Sequence, residues 1–214
     1  MKVKKRLQTH AEELANSISH GLGLLAALVA APILIVSTLR TGTSANVVGA
    51  VVFAISMVLM YLNSSLYHLM PQGQVKQVFR KLDHAAIFLL IAGTYTPFTL
   101  GVLSGTLGWT LFGLVWGIAG LGLLLMQFER LSNPWVSNGL YLAMGWLIVA
   151  ATVPMVTRMA TSGLLLLLAG GLAYSGGVVF YALDARLRFG HFVWHLFVIA
   201  GTACHFFAVL YHAG

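Results

Sequence analysis

His191 and His195 stand four residues apart at the start of the last of seven apolar segments, in a chain only 8% of whose residues are charged. Positions i and i+4 share one face of a helix, so both imidazoles can address one ion. Ionisable groups in a membrane segment mark function by default. The spacing recurs in Ser64 and His68, and Glu13, Asn16 and His20 also fall along one helical face. Asp83 and His84 follow a stretch carrying Pro71 and Gly73. Three neutral imidazoles with an open fourth position describe a catalytic zinc site, and His68, His191 and His195 are the natural trio. Asp83 can hydrogen-bond the water of such a site or a histidine N–H, and Ser64 can offer a hydroxyl to a developing oxyanion. Glu13, Asn16 and His20 read as residues that support the ligands, although Glu13 and Asn16 also suit the ordinary N-terminal turn of a helix.

Their value depends on the elements that carry them. The chain has 214 residues, is 59% hydrophobic and has a mean hydropathy of +0.89. That is the composition of a bilayer protein. With about 20 apolar residues to a span, segments fall near 18–40, 45–70, 84–104, 106–128, 134–157, 161–184 and 191–212. The expected fold is therefore an all-α integral membrane protein: a seven-transmembrane helix bundle forming one domain over 1–214, with a short basic tail over 1–12. A signal peptide is a poor reading of the first segment, because Glu12 and Glu13 interrupt its basic flank and the apolar run continues past Pro32. Cys204 is the single cysteine, so no intrachain disulfide and no cysteine-rich metal knuckle can form.

Orientation follows from the cations. Lys2, Lys4, Lys5, Arg6, Lys76, Arg80, Lys81, Arg130, Arg186 and Arg188 fall on one side, against Arg40 and Arg158 on the other. The positive-inside rule then puts the N-terminus in the cytoplasm and the C-terminus outside. The net charge of +7 is accounted for by topology and by anionic headgroups, with no need of nucleic acid. In this orientation His20, His68, Asp83, His191 and His195 all reach the cytoplasmic leaflet, although they come from four helix ends distant in sequence. His84 reads as interfacial, and His205, about 15 Å further along its helix than His195, as too deep to join them. His10 and His212 are expected to face solvent. Gly113 and Gly117, and the glycines from Gly170 to Gly177, read as packing faces. Asn133 and Pro134 read as a helix start, and Pro97 as a kink.

The ordered motifs Glu13-Leu-Ala-Asn16 with His20, Ser64-Ser65-Leu66-Tyr67-His68, Leu82-Asp83-His84 running into Ala92-Gly93-Thr94-Tyr95-Thr96-Pro97, and His191-x-x-x-His195 resemble those of the hemolysin III proteins. These form the bacterial branch of the progestin and adipoQ receptor superfamily. The resemblance runs from about residue 11 to the end of the chain. It implies seven helices with the N-terminus inside, zinc on His68, His191 and His195 near the cytoplasmic side, and motif roles for Asp83 and Ser64. The resemblance also implies a departure, since eukaryotic relatives often carry tyrosine where this chain has His84. Likeness to alkaline ceramidases implies hydrolysis of a lipid amide.

Three functions follow as expectations. The first is a zinc-dependent hydrolase of a lipid amide or ester in the bacterial inner membrane, contributing to lipid homeostasis. The second is a sensor or regulator of membrane fluidity or energetics, with structural zinc and a fatty-acyl ligand. The third is a pore-forming cytolysin, against which the multi-pass composition argues. A retinal pump is excluded, because all five lysines lie in the tail or the second loop, where none can hold a Schiff base in the bilayer. Membrane lipids or fatty acyl chains are the partners, and the oligomeric state is left open.

Overall fold

In lipid every backbone N–H and C=O must be satisfied within the chain, and apolar segments of this length do so as helices. The computed structural model describes residues 6–128, 130, 131 and 133–213. Lys2, Lys4 and Lys5, which were counted for topology, lie outside the described residues. The order is α1 (His10–Thr41), α2 (Ser44–Leu69), α3 (Gln74–Pro97) with a π-helical turn (Phe98–Val102), α4 (Gly105–Gln127), α5 (Pro134–Trp146), a 3₁₀ turn (Leu147–Ala151), α6 (Thr152–Arg158), α7 (Thr161–Leu183) and α8 (Gly190–His212). Among the described residues seven spans are long and apolar enough to cross a membrane, α5 through α6 making the fifth. In the bundle α1 packs on α2 and α8, α2 on α3, and α7 on α8. α5 touches α3 and α7, which closes the ring, while α4 leans on α3 from outside.

Two helices begin earlier than hydropathy indicates. Thr9 caps α1 by accepting from the Glu12 N–H, and the Glu12 side chain returns the bond in a capping box. Glu13, Asn16 and His20 thus lie inside α1 and do not cap it. α3 starts at Gln74, so Lys76, Arg80 and Lys81 are helical where a loop was expected. Gln, Lys and Arg are good helix formers, and hydropathy is blind to the polar turns they make. Asn133 and Pro134 do open α5, with the Asn133 side chain accepting from the Trp135 N–H.

Pro97 ends α3 and the chain passes into the π-helical turn, in which the Leu103 N–H bonds to the Phe98 carbonyl at 2.8 Å. Arg158 donates to the Leu103 carbonyl at 2.7 Å. The fifth span breaks just before Pro154, which lacks an N–H for the preceding turn. Tyr95 fills the break: its hydroxyl accepts from the Ile148 N–H at 2.8 Å and donates to the carbonyls of Met144 or Gly145 at 2.8 Å.

Small residues do set the helix spacing, though not all of those expected. A Cβ on Gly177 would come within 2.7 Å of Trp194 and Phe197, so this glycine lets α7 approach α8. Gly113 and Gly117 meet no neighbour within 4 Å, because α4 rests on α3 through Gly122 against Phe88. Where the ring is loosest, two adjoining cavities of about 100 and 240 Å³ share Thr94, Tyr95, Trp146 and His205 as walls.

The Tyr95 bridge gives a test of the fifth span. Tyr95→Phe should destabilise the protein by about 1–3 kcal/mol and lower its unfolding midpoint in detergent. An unchanged midpoint would show that the break is held by other contacts.

Candidate metal centre

At the end of the bundle where α1, α3 and α8 begin and α2 stops, the helices deliver the polar residues picked out by spacing. α2 supplies Ser64 and His68, α8 supplies His191 and His195, α1 supplies Glu13, Asn16 and His20, and α3 supplies Asp83. His68, His191 and His195 each offer a ligand atom, and these atoms lie within 4.8 Å of one another. Their ring centroids form a nearly equilateral triangle of 4.9, 5.0 and 4.8 Å. His68 and His195 are buried, and the His191 side chain is 11% exposed.

Each ring is tied from behind through Nδ1. His68 Nδ1–H donates to Glu13 Oε2 at 2.8 Å, and His191 Nδ1–H donates to Asp184 Oδ2 at 3.1 Å. His195 Nδ1–H donates to the Asn16 carbonyl at 3.2 Å, with Ser19 Oγ at 3.0 Å. Acceptors that hold no proton of their own, two carboxylates and a backbone carbonyl, fix the proton on Nδ1 and leave Nε2 with its lone pair. That is the tautomer a metal requires. His68 Nε2 is buried with no partner among the described residues, as a site built for an ion would leave it. Three imidazole nitrogens with carboxylate and carbonyl backing suit zinc.

Behind Glu13 stands a buried cation. Lys76 Nζ lies 3.0 Å from Glu13 Oε1, donates to the Tyr67 and Met70 carbonyls at 3.0 and 3.2 Å, and sits over the Tyr67 ring. His20 stacks on His195 at 3.5 Å with planes 8° apart, its edge against Tyr61. Among the described residues neither His20 nitrogen has a partner, and Ser64 Oγ and Asp83 Oδ1 are also buried without one. Asp83 lies within electrostatic reach of His68, Tyr67 and Tyr181.

The remaining histidines go elsewhere. The His84 ring bonds the Arg80 carbonyl at 2.6 Å and Tyr181 at 3.2 Å, and His205 bonds the Leu167 carbonyl at 3.3 Å. His10 is exposed. His212, expected to face solvent, is half-buried beside Gly163 and bonds Ser162 at 3.3 Å. Spacing did not reveal Asp184, Ser19 or Lys76. Asp184 acts on His191 from seven residues away across a turn, and Lys76 reaches Glu13 from another helix; neither leaves a local signature.

A family model described as haemolysin-III related matches residues 8–206. The chain belongs to the haemolysin III family. It is similar to Hemolysin-3 of Bacillus cereus, 43% identical over 211 residues that cover 99% of this chain and 96% of the relative. Hemolysin-3 homolog of Bacillus subtilis is 41% identical over 201 residues, 94% of each. The human monocyte to macrophage differentiation factor is 27% identical over 208 residues, 92% of this chain and 83% of the relative. No solved structure matches. Haemolysin III membership agrees with the resemblance carried by the ordered motifs, and the human relative fits the wider superfamily.

The Lys76–Glu13 pair can be tested apart from any metal. Glu13→Ala leaves a buried ammonium without its carboxylate and should destabilise the protein, whereas Glu13→Ala with Lys76→Met should recover part of the loss. A double-mutant cycle on unfolding midpoints should give an interaction energy of about 0.5–3 kcal/mol. A coupling of zero would mean that the two side chains act independently.

Proposed function

We propose that the protein is a zinc-dependent hydrolase of a lipid amide or ester in the bacterial plasma membrane, working at the cytoplasmic leaflet. The observation that carries this reading is the set of three histidines whose Nδ1–H groups are all engaged, which leaves three nitrogens to converge. Among the described residues no fourth His, Cys, Asp or Glu joins the group. An open fourth position distinguishes a catalytic zinc site from a structural one. His68, His191 and His195 would hold the ion, which when bound supplies Lewis acidity at the substrate carbonyl.

The other residues then take definite parts. Asp83 orients the attacking water and accepts its proton as the oxygen adds to the acyl carbon. Ser64 donates to the developing oxyanion. The C–N or C–O bond then breaks, and the proton passes to the departing amine or alcohol. Glu13, Asn16 and Asp184 hold the three imidazoles in the ligating tautomer, and His20 packs His195 from below.

The interior cavity supports a lipid substrate. It is bounded by Ile87, Leu90, Leu142, Val178 and Val198, and near the metal centre by Tyr181 and Trp194. The Tyr181 ring lies 5.6 Å from those of both His191 and Trp194, so one layer of side chains divides cavity from histidines. Asn138 also lines the cavity and is buried. An amide side chain both donates and accepts, which suits the neutral head of an amide or ester better than a carboxylate.

The test is zinc analysis of purified protein alongside acid release from a panel of lipid amides and esters. His195→Ala should lose both zinc and activity, while Asp83→Asn should keep zinc and lose about 10²–10⁴-fold in rate. Zinc bound at one ion per chain with no acid released from any lipid would sink the hydrolase. A membrane phenotype fully supported by Asp83→Asn would then favour the sensor.

A further inference from the structure

The segment that precedes α1 is held by polar side chains across the mouth of the metal centre. Leu7 is 84% exposed, so apolar packing does not anchor it. Arg6 instead grips both Glu12 oxygens, at 2.8 and 2.6 Å, and reaches the Leu187 carbonyl in the loop between α7 and α8 at 3.3 Å. Glu12 in turn accepts from the Phe189 N–H of that loop at 2.8 Å. Phe189 is the one non-glycine in the left-handed region, with φ 57°, among the described residues. Such a backbone persists when its surroundings over-determine it, and it lies two residues before His191.

Gln8 occupies the centre of this arrangement. Its Oε1 accepts from Asn16 Nδ2 at 2.9 Å and its Nε2 donates to Asp184 Oδ2 at 3.3 Å. Asn16 Nδ2 lies 3.5 Å from His68 Nδ1, and Asp184 holds His191. Gln8 therefore spans the two sides of the histidine triangle.

Solvent reaches the site along this edge. The side chains of Glu13, Asp184 and His191 are 17%, 14% and 11% exposed, whereas His68 is 1% exposed and His20 and His195 are sealed. Glu13, paired with Lys76, and Asp184 flank the opening with carboxylate oxygens that can pass a cation inward. The opposite side is closed by Tyr61 and Trp194 and by the apolar bundle beneath them.

We propose that Arg6–Thr9 is a latch, and that a divalent cation enters and leaves the three-histidine site beneath it, between Glu13 and Asp184. This rests on the metal reading of the site and adds its route and its gate. Releasing Gln8 from Asn16 and Asp184 opens the route without removing any of the three histidines. Releasing Arg6 frees Glu12 and with it the loop at Phe189. The latch consequently sets exchange rates, while the histidines set affinity.

The experiment uses full-length protein loaded with zinc in detergent, with loss of zinc to excess chelator followed over time. Gln8→Ala and Arg6→Ala should each speed both release and loading by about tenfold or more, with the equilibrium Kd unchanged. Leu7→Ala, on the same segment but without polar contacts, should leave the rates alone. Amide hydrogen exchange at Phe189 should quicken in Arg6→Ala, which reads the latch directly. Zinc bound by the wild type but released at the same rate from Gln8→Ala and Arg6→Ala overturns the latch and leaves the metal reading intact. Faster release matched by an equal loss of affinity overturns it too, because the segment would then shape the site and not gate it. A wild type that takes up no zinc overturns the metal reading, and this inference with it.

Discussion

An imidazole N–H buried in an apolar bundle is costly to leave without an acceptor, and three of them at one end of this molecule find theirs on other elements. His68 on α2 turns to Glu13 on α1, His195 on α8 to the backbone of α1, and His191 to Asp184 in the loop before α8. Leaving any of these donors bare in a low-dielectric surrounding costs about 1–3 kcal/mol. The three bonds therefore do two things at once: they pin α1, α2 and α8 to each other, and they turn the free nitrogen of each ring inward. A packing requirement and a ligand-orienting requirement are met by the same contacts.

The rest of the bundle follows from that arrangement. Glu13 can serve His68 only because Lys76 balances its charge, which draws the first turn of α3 into the cluster. α7 is tied to α8 through glycine contacts such as Gly177, which fixes where the loop carrying Asp184 must end. The opposite side of the ring is looser. There the fifth span breaks, Tyr95 repairs the break, and the cavities open. A tight polar end and a loose apolar flank are what a site acting on lipid would need, since one must hold geometry and the other must admit a chain.

Much of this was legible in the residues. The seven spans show in the apolar periodicity, and the members of the cluster show in their i and i+4 spacing, because a helix converts spacing into a shared face. Charge counting put His20, His68, Asp83, His191 and His195 at one end of the bundle, and the fold brings them together at one end. What stayed hidden was non-local or polar. The first turns of α1 and α3 were lost to a hydropathy reading, although Thr9-x-x-Glu12 spells a capping box that marks the start of α1. Asp184 carries no sign of its partner. Gly113 and Gly117 have the right spacing for a helix interface, but spacing does not say which face of α4 a neighbour uses.

The central claim is that His68, His191 and His195 hold one zinc ion with a position left open. X-ray absorption at the zinc edge on purified wild-type protein tests it most directly. The account predicts three imidazole nitrogens and one exchangeable oxygen at about 2.0–2.1 Å. Absence of zinc, a fourth protein ligand, or an unchanged spectrum in His191→Ala would contradict it.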